Sequence, residues 1–341
     1  MSKRNASYNG LLIVDKPGLP RDRDEAIDIA AYDLPTSHDV VQRVRHWSGQ
    51  RRIGHTGTLD PMASGVLVLC LGQATRLVEY YQGHDKIYLA EVTLGRATDT
   101  YDALGQVTDE QPVPPLMPAR IEAALARFRG EIWQTPPIYS AIKRGGESLH
   151  RKARRGEDVT IEPRPITIHE LSLVDLIGSD RLRLRVRSSA GAYMRSLAHD
   201  LGAALGTVAH LSALRREAAG GFTLDDAVEL DAIQAAAKEG RLADLLLPPG
   251  DRLQMPRLTL DEESSRRLGY GQRVVMNRIE GAGENALFQA YDEEDRFLGV
   301  LRCLQMGANT NEINIEKGQS EPGLSVDESV WKAEKWFAPQ A

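Results

Sequence analysis

The sequence has little cysteine, no long apolar run and no excess of positive charge. Cys70 and Cys303 are the only cysteines in 341 residues, too few for a disulfide-stapled secreted protein and without the spacing of a zinc site. The longest apolar run, 66–71, is far shorter than the ~20 residues of a membrane helix. We therefore expect a cytoplasmic protein that spans no membrane, with a chain long enough for about two domains.

Positive charge is scarce overall but locally concentrated. The chain has 42 Lys and Arg against 48 Asp and Glu, a net charge of −6, whereas a protein that binds nucleic acid is expected to be basic on at least one face. Segment 143–155 contains one acidic residue, Glu147, and six basic ones: Lys143, Arg144, Arg151, Lys152, Arg154 and Arg155. A second basic cluster lies at 43–52. The negative net charge therefore does not argue against an RNA partner.

Apolar periodicity predicts a mixed fold. Residues 11–14 and 65–71 are typical of buried strands, and 86–94 and 181–188 alternate like strands with one apolar face. Thr36 is a predicted N-cap, with Asp39 completing a capping box. Helical spacing follows it and recurs at 73–81, 118–129, 192–205 and 229–247. Because strands and helices do not alternate regularly, we predict an α+β fold with a mixed, largely antiparallel sheet.

A Pro-Pro-Gly sequence at 248–250 predicts a domain boundary. It separates a first domain at 8–247 from a second at 251–341. Short strands predicted at 272–275, 286–291 and 296–303 indicate that the second domain is small and β-rich. The polar segment 307–328 is predicted to be mobile.

Residues 54–65, Gly-His-Thr-Gly-Thr-Leu-Asp-Pro-Met-Ala-Ser-Gly, are too rich in Gly, Thr and Pro for a regular element. They lie between apolar elements, a usual position for chemistry. Pro61 favours extended backbone at Asp60, so the loop could present that carboxylate in a fixed orientation. From the spacing alone, an Asp-Pro turn is the simpler interpretation. A P-loop is excluded, because no Gly-Lys-Ser/Thr follows the glycines.

Several motifs occur together in an order that resembles the TruB-type tRNA pseudouridine synthases. They run from Asp15-Lys16-Pro17 through Thr36-Ser37-His38-Asp39-Val40-Val41, the 54–72 segment, Lys86-Ile87-Tyr88, Asp99-Thr100-Tyr101-Asp102, Pro136-Pro137-Ile138-Tyr139-Ser140-Ala141 and Gly191-Ala192-Tyr193-Met194-Arg195 to Asp200-Leu201-Gly202. The resemblance implies a pseudouridine synthase fold with a PUA-like C-terminal domain. It also implies that uridine 55 in the tRNA T-loop becomes pseudouridine without a metal or organic cofactor.

The same resemblance assigns roles to five residues. Asp60 would be the catalytic carboxylate, Arg195 its ion-pair partner and Tyr88 the residue that packs on the flipped base. Leu214 would line the pocket, and His55 would fill the space that the flipped base leaves in the RNA stack. Without the resemblance, Tyr88 and Leu214 would be predicted as core residues, Arg195 as a solvated charge and His55 as a loop residue.

Two inserted segments are predicted. The resemblance implies a thumb-like RNA-binding insert at 136–164, whose six basic residues would contact the T-arm and elbow of tRNA. A solvated helix face is the simpler explanation of that charge. The family usually has only a few residues between Pro17 and Thr36, so 18–35 is predicted to be an exposed surface insertion. We expect a monomer.

The chemistry suits a carboxylate. The N1–C1′ bond of uridine breaks, the base turns, and C5 bonds to C1′, so a carboxylate is useful as nucleophile or base. Attack at C1′, attack at C6 and removal of a sugar proton all remain open for Asp60.

The alternative function is an RNA-binding or tRNA-folding protein whose grip on the T-loop matters independently of catalysis. A glycosidase for free sugars is disfavoured, since no second carboxylate occupies a recognisable paired position.

Overall fold

The computed structural model describes residues 8–20, 29–139, 161–307 and 327–337, with the backbone of 143–144 and 147–148. The chain divides into two compact units, Met1–Leu246 and Leu247–Ala341. None of the helices in this described part has the length and apolarity needed to cross a membrane.

A ten-stranded sheet forms the centre of the first unit, in the order β14-β1-β3-β12-β4-β11-β10-β7, with β2 on β3 and β13 on β12. Two pairs in it are parallel, β1 with β14 and β12 with β3, and the others are antiparallel. The predicted mixed, largely antiparallel sheet is confirmed. The strands of this unit, including the small pairs β5–β6 and β8–β9, are β1 (Gly10–Lys16), β2 (Ile53–His55), β3 (Ser64–Leu71), β4 (Lys86–Leu94), β5 (Arg96–Thr98), β6 (Val107–Glu110), β7 (Gly130–Gln134), β8 (Lys143–Arg144), β9 (Glu147–Ser148), β10 (Arg164–Ile177), β11 (Arg181–Ser188), β12 (Ala209–Ala219), β13 (Phe222–Thr223) and β14 (Val228–Glu229).

Helices contribute apolar side chains to one large core against this sheet. Val44, Ile121 and Leu197, from three different helices, share a cluster with sheet residues such as Leu67 and Leu184. Burying one such side chain stabilises the fold by roughly 1.5–3 kcal/mol. The helices of the first unit are α1 (Ser37–Ser48), α2 (Val78–Gln82), α3 (Pro118–Ala126), α4 (Met194–Ala204) and α5 (Leu230–Lys238).

Helix α1 begins as the sequence predicts. The Thr36 side chain accepts from the Asp39 N–H, and the Asp39 carboxylate accepts from the Thr36 N–H, which completes the capping box. The helix ends at Gly49, whose φ of 71° is left-handed, a conformation that glycine adopts without steric cost. The cap, worth ~1 kcal/mol, fixes Ser37 at the first helical position.

Several elements differ from the sequence prediction. The helix predicted at 229–247 stops at Lys238, because Gly240 has a φ of 74°, and 242–245 form a short 3-10 helix. The predicted helix at 73–81 begins as a 3-10 helix, Gly72–Leu77, before α2. Two long strands of the central sheet, β10 and β12, were not predicted. Two register shifts interrupt the pairing of β10 with β11, and two interrupt the pairing of β12 with β4, so their apolar residues do not alternate regularly.

The predicted surface insertion at 18–35 has residues at both ends that pack into the domain. Leu19 is 2% exposed, and its N–H donates to the Met62 carbonyl at 2.8 Å. Ile29 and Leu34 pack against the core. Residues 21–28 lie outside the described residues. Because Leu19 contacts the backbone next to Asp60, the start of this segment belongs to the domain itself.

The second unit is a five-stranded sheet, in the order β15-β17-β18-β19-β16, with one helix. Its core contains Trp331, fully buried, edge-on to Phe288 at 5.1 Å between ring centroids. The predicted β-rich C-terminal domain is confirmed. Of the segment predicted to be mobile, 308–326 lie outside the described residues. The elements are β15 (Arg257–Thr259), α6 (Glu262–Gly269), β16 (Val274–Asn277), β17 (Leu287–Tyr291), β18 (Phe297–Met306) and β19 (Glu328–Trp336).

Candidate active site

The loop at 56–63, here the Asp60 loop, joins β2 to β3. The Ala63 N–H donates to the Asp60 carbonyl at 3.0 Å, so Asp60-Pro61 does start a turn, as its spacing indicates. The side chain of Asp60 remains 30% exposed. A turn and a presented carboxylate are therefore compatible at this position.

A buried lysine holds the second half of this loop. Lys16, at the end of β1, is 0% exposed, and its Nζ donates to the carbonyls of Pro17 (2.8 Å), Pro61 (3.0 Å) and Ala63 (2.7 Å). Burial lowers the pKa of Lys16 to about 8, while the charge of Asp60 opposes that shift. At neutral pH the ammonium group thus supplies one N–H to each of three carbonyls.

A hydroxyl and a buried guanidinium hold the first half. The Ser37 hydroxyl accepts from the Leu59 N–H at 2.8 Å and donates to the Leu59 carbonyl at 3.2 Å. Arg216, 2% exposed, donates from Nη2 to the Gly57 carbonyl at 3.1 Å and from Nε to the Val66 carbonyl at 2.6 Å. The Asp60 loop is consequently fixed on both sides of the carboxylate.

Arg216 also links the loop to the other predicted site residues. In the β4–β12 pairing, Tyr88 lies opposite Arg216 and Leu214 lies opposite Ala90. Burial lowers the pKa of Arg216, and the hydrogen bond with Tyr88 and the charge of Asp60 oppose this. Burial and then the Arg216 charge lower the pKa of the half-buried His55. Tyr88 and Leu214 are 8% and 4% exposed, the burial expected of them without the family resemblance.

The Asp60 carboxylate forms a bidentate ion pair with Arg195. The Nε–Oδ2 and Nη2–Oδ1 distances are both 3.0 Å. The other N–H groups of Arg195, which lies in the first turn of α4, donate to the carbonyls of Thr100 at 3.1 Å and Tyr139 at 2.9 Å. With its side chain 6% exposed, Arg195 is not a solvated charge. Paired, charge-assisted bonds of this kind fix both position and orientation.

A second carboxylate lies behind this pair. Asp102 Oδ2 is 3.7 Å from Arg195 Nε, while its Oδ1 accepts from the Thr100 hydroxyl at 2.7 Å and the Leu104 N–H at 3.0 Å. Burial raises the pKa of Asp102, and the Thr100 hydrogen bond and the charge of Arg195 oppose that rise. Arg195 therefore lies between a buried carboxylate and a partly exposed one.

Sequence reasoning assigned no role to four residues of this site: Lys16, Ser37, Asp102 and Arg216. Each falls in a motif that the sequence analysis quoted or in the strand that contains Leu214. The sequence contained one sign of such a role: a charged residue within or at the end of a predicted buried strand, as at Lys16. A buried charge requires polar partners, and the partners of Lys16 are the loop carbonyls. Within the described part of the chain, no three His, Cys, Asp or Glu side chains are grouped to hold a metal ion.

The six basic residues predicted to contact RNA cannot be placed in this site. Lys143 and Arg144 form β8, of which the backbone is described. Arg151, Lys152, Arg154 and Arg155 lie outside the described residues.

The buried ammonium group of Lys16 predicts a pH-dependent stability. Its pKa is about 8 in the folded chain against 10.5 when unperturbed, so between these values the unfolded chain binds more protons and stability rises with pH. The free energy of unfolding of wild type minus that of Lys16→Met should increase across this window by on the order of 3 kcal/mol.

Urea unfolding at pH 7.5 and at pH 10.5 measures this difference. Lys86, whose pKa burial also lowers to about 8, is present in both proteins and cancels. A difference that is flat or decreases with pH would contradict the buried charge at Lys16.

Three protein-family models match successive segments of this chain. Residues 45–194 match the N-terminal domain of the TruB family pseudouridylate synthases. Residues 195–253 match the tRNA pseudouridylate synthase B C-terminal domain, and 256–308 match the pseudouridine synthase II TruB C-terminal model. The chain belongs to the TruB family. This membership confirms the resemblance and the prediction that the chain is a pseudouridine synthase.

Two curated TruB-family relatives are named tRNA pseudouridine synthase B. The one from Dehalococcoides mccartyi is 41% identical over 296 residues, which cover 86% of this chain and 92% of that protein. The one from Burkholderia mallei is 42% identical over 303 residues, 87% of this chain and 94% of that protein.

Solved structures share the TruB fold. The structure of an H/ACA RNP bound to a substrate RNA containing 2′-deoxyuridine has a TM-score of 0.67 at 22% identity and covers 97% of this chain and 85% of that chain. An archaeal box H/ACA sRNP complex gives the same TM-score and identity, with 97% and 86% covered. Together with the family match, they confirm the predicted pseudouridine synthase fold.

Proposed function

We propose that this TruB-family enzyme isomerises uridine 55 in the T-loop of tRNA to pseudouridine, with Asp60 as the carboxylate that acts on the substrate. The observation that carries the proposal is the partly exposed Asp60 carboxylate, held in one orientation by Arg195 while its loop is fixed on both sides. The name tRNA pseudouridine synthase B, carried by relatives above 40% identity, supports tRNA as the substrate.

The reaction breaks the N1–C1′ bond, rotates the detached uracil and forms a C5–C1′ bond, after which the C5 proton leaves to solvent. Asp60 acts at the sugar or the base as nucleophile or base, and the bidentate Arg195 ion pair holds its carboxylate in one orientation. Tyr88 stacks against the base and keeps it in the pocket during rotation, with Leu214 as an apolar wall. Uracil is both leaving group and incoming nucleophile, so one carboxylate is enough.

Access to the base requires its extrusion from the folded RNA, at a cost of a few kcal/mol. We assign that energy to contacts of tRNA with the thumb-like segment 136–164 and with the C-terminal unit acting as a PUA-like domain. His55, at the end of β2, fills the space left in the RNA stack.

The test is release of tritium from tRNA labelled at C5 of its uridines. We expect one label released to water for each pseudouridine formed, without added cofactor, and pseudouridine at position 55. A tRNA with cytidine at position 55 is the matched substrate control and should release no label. Release accompanied by modification elsewhere would overturn the assignment of uridine 55.

The basic segment predicts a specific salt effect. If Arg151, Lys152, Arg154 and Arg155 bind phosphates, replacing them in pairs by Gln should reduce the log–log slope of tRNA affinity against salt by about 0.7–0.9 for each phosphate that is no longer bound, because each bound phosphate releases condensed counterions. Single-turnover release from saturated complexes should change little. The slope is measured by filter binding at several salt concentrations, and an unchanged slope would show that these charges face solvent.

A further inference from the structure

Tyr101 has an unusual backbone for a bulky residue. Its φ is +62°, in the left-handed region, where the backbone of a residue other than glycine is less stable by roughly 1–2 kcal/mol. Such conformations persist only where the surroundings fix them, and they concentrate at functional sites. Tyr101 lies between two residues that contact Arg195, namely Thr100 and Asp102.

Hydrogen bonds and one ring contact fix this turn. The Tyr101 N–H donates to the Thr98 carbonyl at 3.2 Å, and the Tyr101 carbonyl accepts from the Leu211 N–H at 3.0 Å. The Tyr101 ring stacks on the imidazole of His199, with centroids 4.0 Å apart and planes 13° from parallel. The 98–102 turn is thus held by β12 on one side and by α4 on the other.

His199 lies one helical turn beyond Arg195 on α4, so the two side chains share a helix face. The ring stack therefore joins the helix that carries Arg195 to the turn that supplies the Thr100 carbonyl and the Asp102 carboxylate. Apart from the stack, Arg195 itself connects this turn to α4. Its Nη1 lies 3.1 Å from the Thr100 carbonyl oxygen and its Nε lies 3.7 Å from Asp102 Oδ2. The guanidinium that orients Asp60 would then be less firmly placed.

We propose that Tyr101 and His199 form a positioning pair that holds Arg195, and through it Asp60, in the reactive arrangement. The proposal rests on the proposed function, and neither ring is required to touch the substrate. It explains why a tyrosine, and not a glycine, occupies a left-handed position: the stack compensates for the backbone strain.

Tyr101→Gly separates positioning from stability, because glycine removes the backbone strain together with the ring. We expect a folded protein with unchanged tRNA affinity whose single-turnover tritium release is about 10- to 100-fold slower, the effect of a small misplacement of catalytic groups. His199→Ala should show the same reduction in rate, and Tyr101→Phe, which keeps the stack, should retain the wild-type rate. Because each single change removes the same ring stack, the double variant should be no slower than either single variant.

The outcomes distinguish this proposal from the proposed function. If wild type releases no tritium, both are wrong. If wild type is active and Tyr101→Gly or His199→Ala matches its rate, the positioning pair alone is overturned. It is also overturned if the two reductions in rate multiply in the double variant, or if Tyr101→Phe is as slow as Tyr101→Gly. Should Tyr101→Gly fail to fold, His199→Ala and Tyr101→Phe decide by the same criteria.

Discussion

Asp60→Asn is expected to abolish tritium release from C5-labelled tRNA, with a fall in rate of at least about 10⁴-fold, as found when a residue central to covalent catalysis is removed. Asparagine keeps the size of the side chain and an oxygen that can accept from Arg195, so the loop should keep its fold. It removes the charge and the nucleophile or base. Single-turnover release and filter binding measure rate and tRNA affinity separately, and affinity should be largely retained.

The matched control is Asp225→Asn, the same chemical change at an exposed residue of a short 3-10 helix in the same unit. It should leave release unchanged. A tRNA-folding protein that does no chemistry would release no label even as wild type, so release by the wild type separates the two functions. Retained release in Asp60→Asn would overturn the catalytic assignment.

Much of the fold followed from periodicity because the relevant segments are long and have one buried face. Strand β4 begins and ends where its alternation predicts, and so does β11. The helix at 229–247 was predicted too long because apolar residues continue past Gly240, whose positive φ interrupts the helix. Strands β10 and β12 were missed since register shifts disturb their alternation. Apolar periodicity therefore does not reveal where a local conformation interrupts a helix or shifts the register of a strand.

The candidate site likewise contains residues whose contacts the sequence predicts and residues whose contacts it does not. Family motifs predicted contact between Asp60 and Arg195, and the structure contains that ion pair. The supporting groups were not assigned, since their role depends on distant segments: Lys16 reaches the Ala63 carbonyl across 47 positions in sequence, and Arg216 reaches the Gly57 carbonyl across 159. Only the sheet brings these segments together. Sequence spacing identifies residues within one element, whereas the partners of a buried charge come from the topology.

Arg195→Met is expected to slow tritium release by about 10²–10³-fold, the usual effect of removing one preorganised electrostatic partner. Methionine retains apolar volume but leaves Asp60 without its bidentate partner and Asp102 buried without a neighbouring cation. Breaking a buried ion pair in this way costs about 3–5 kcal/mol of stability. Arg195→Lys, which keeps a charge without the planar fork, should lie between Met and wild type in rate.

The stability loss should depend on pH with a definite sign. Burial raises the pKa of Asp102 above 3.8 and Arg195 opposes that rise, so removing Arg195 raises it further. Between 3.8 and the raised value the folded chain binds the proton that the unfolded chain has released, and stability falls as pH increases. The gap in unfolding free energy between wild type and Arg195→Met should therefore widen as the pH rises above 3.8, as measured by urea unfolding.

A matched variant separates loss of stability from loss of function. Arg183 pairs with Glu91, itself 1% exposed, at 2.9 Å. Glu91 points to the opposite face of β4 from Tyr88 and Ala90, because successive side chains alternate. Arg183→Met should also destabilise the fold, yet at a temperature where the protein remains folded it should release tritium at the wild-type rate. If Arg183→Met and Arg195→Met lose the same activity at equal stability, Arg195 acts only through the fold, and its role beside Asp60 is contradicted.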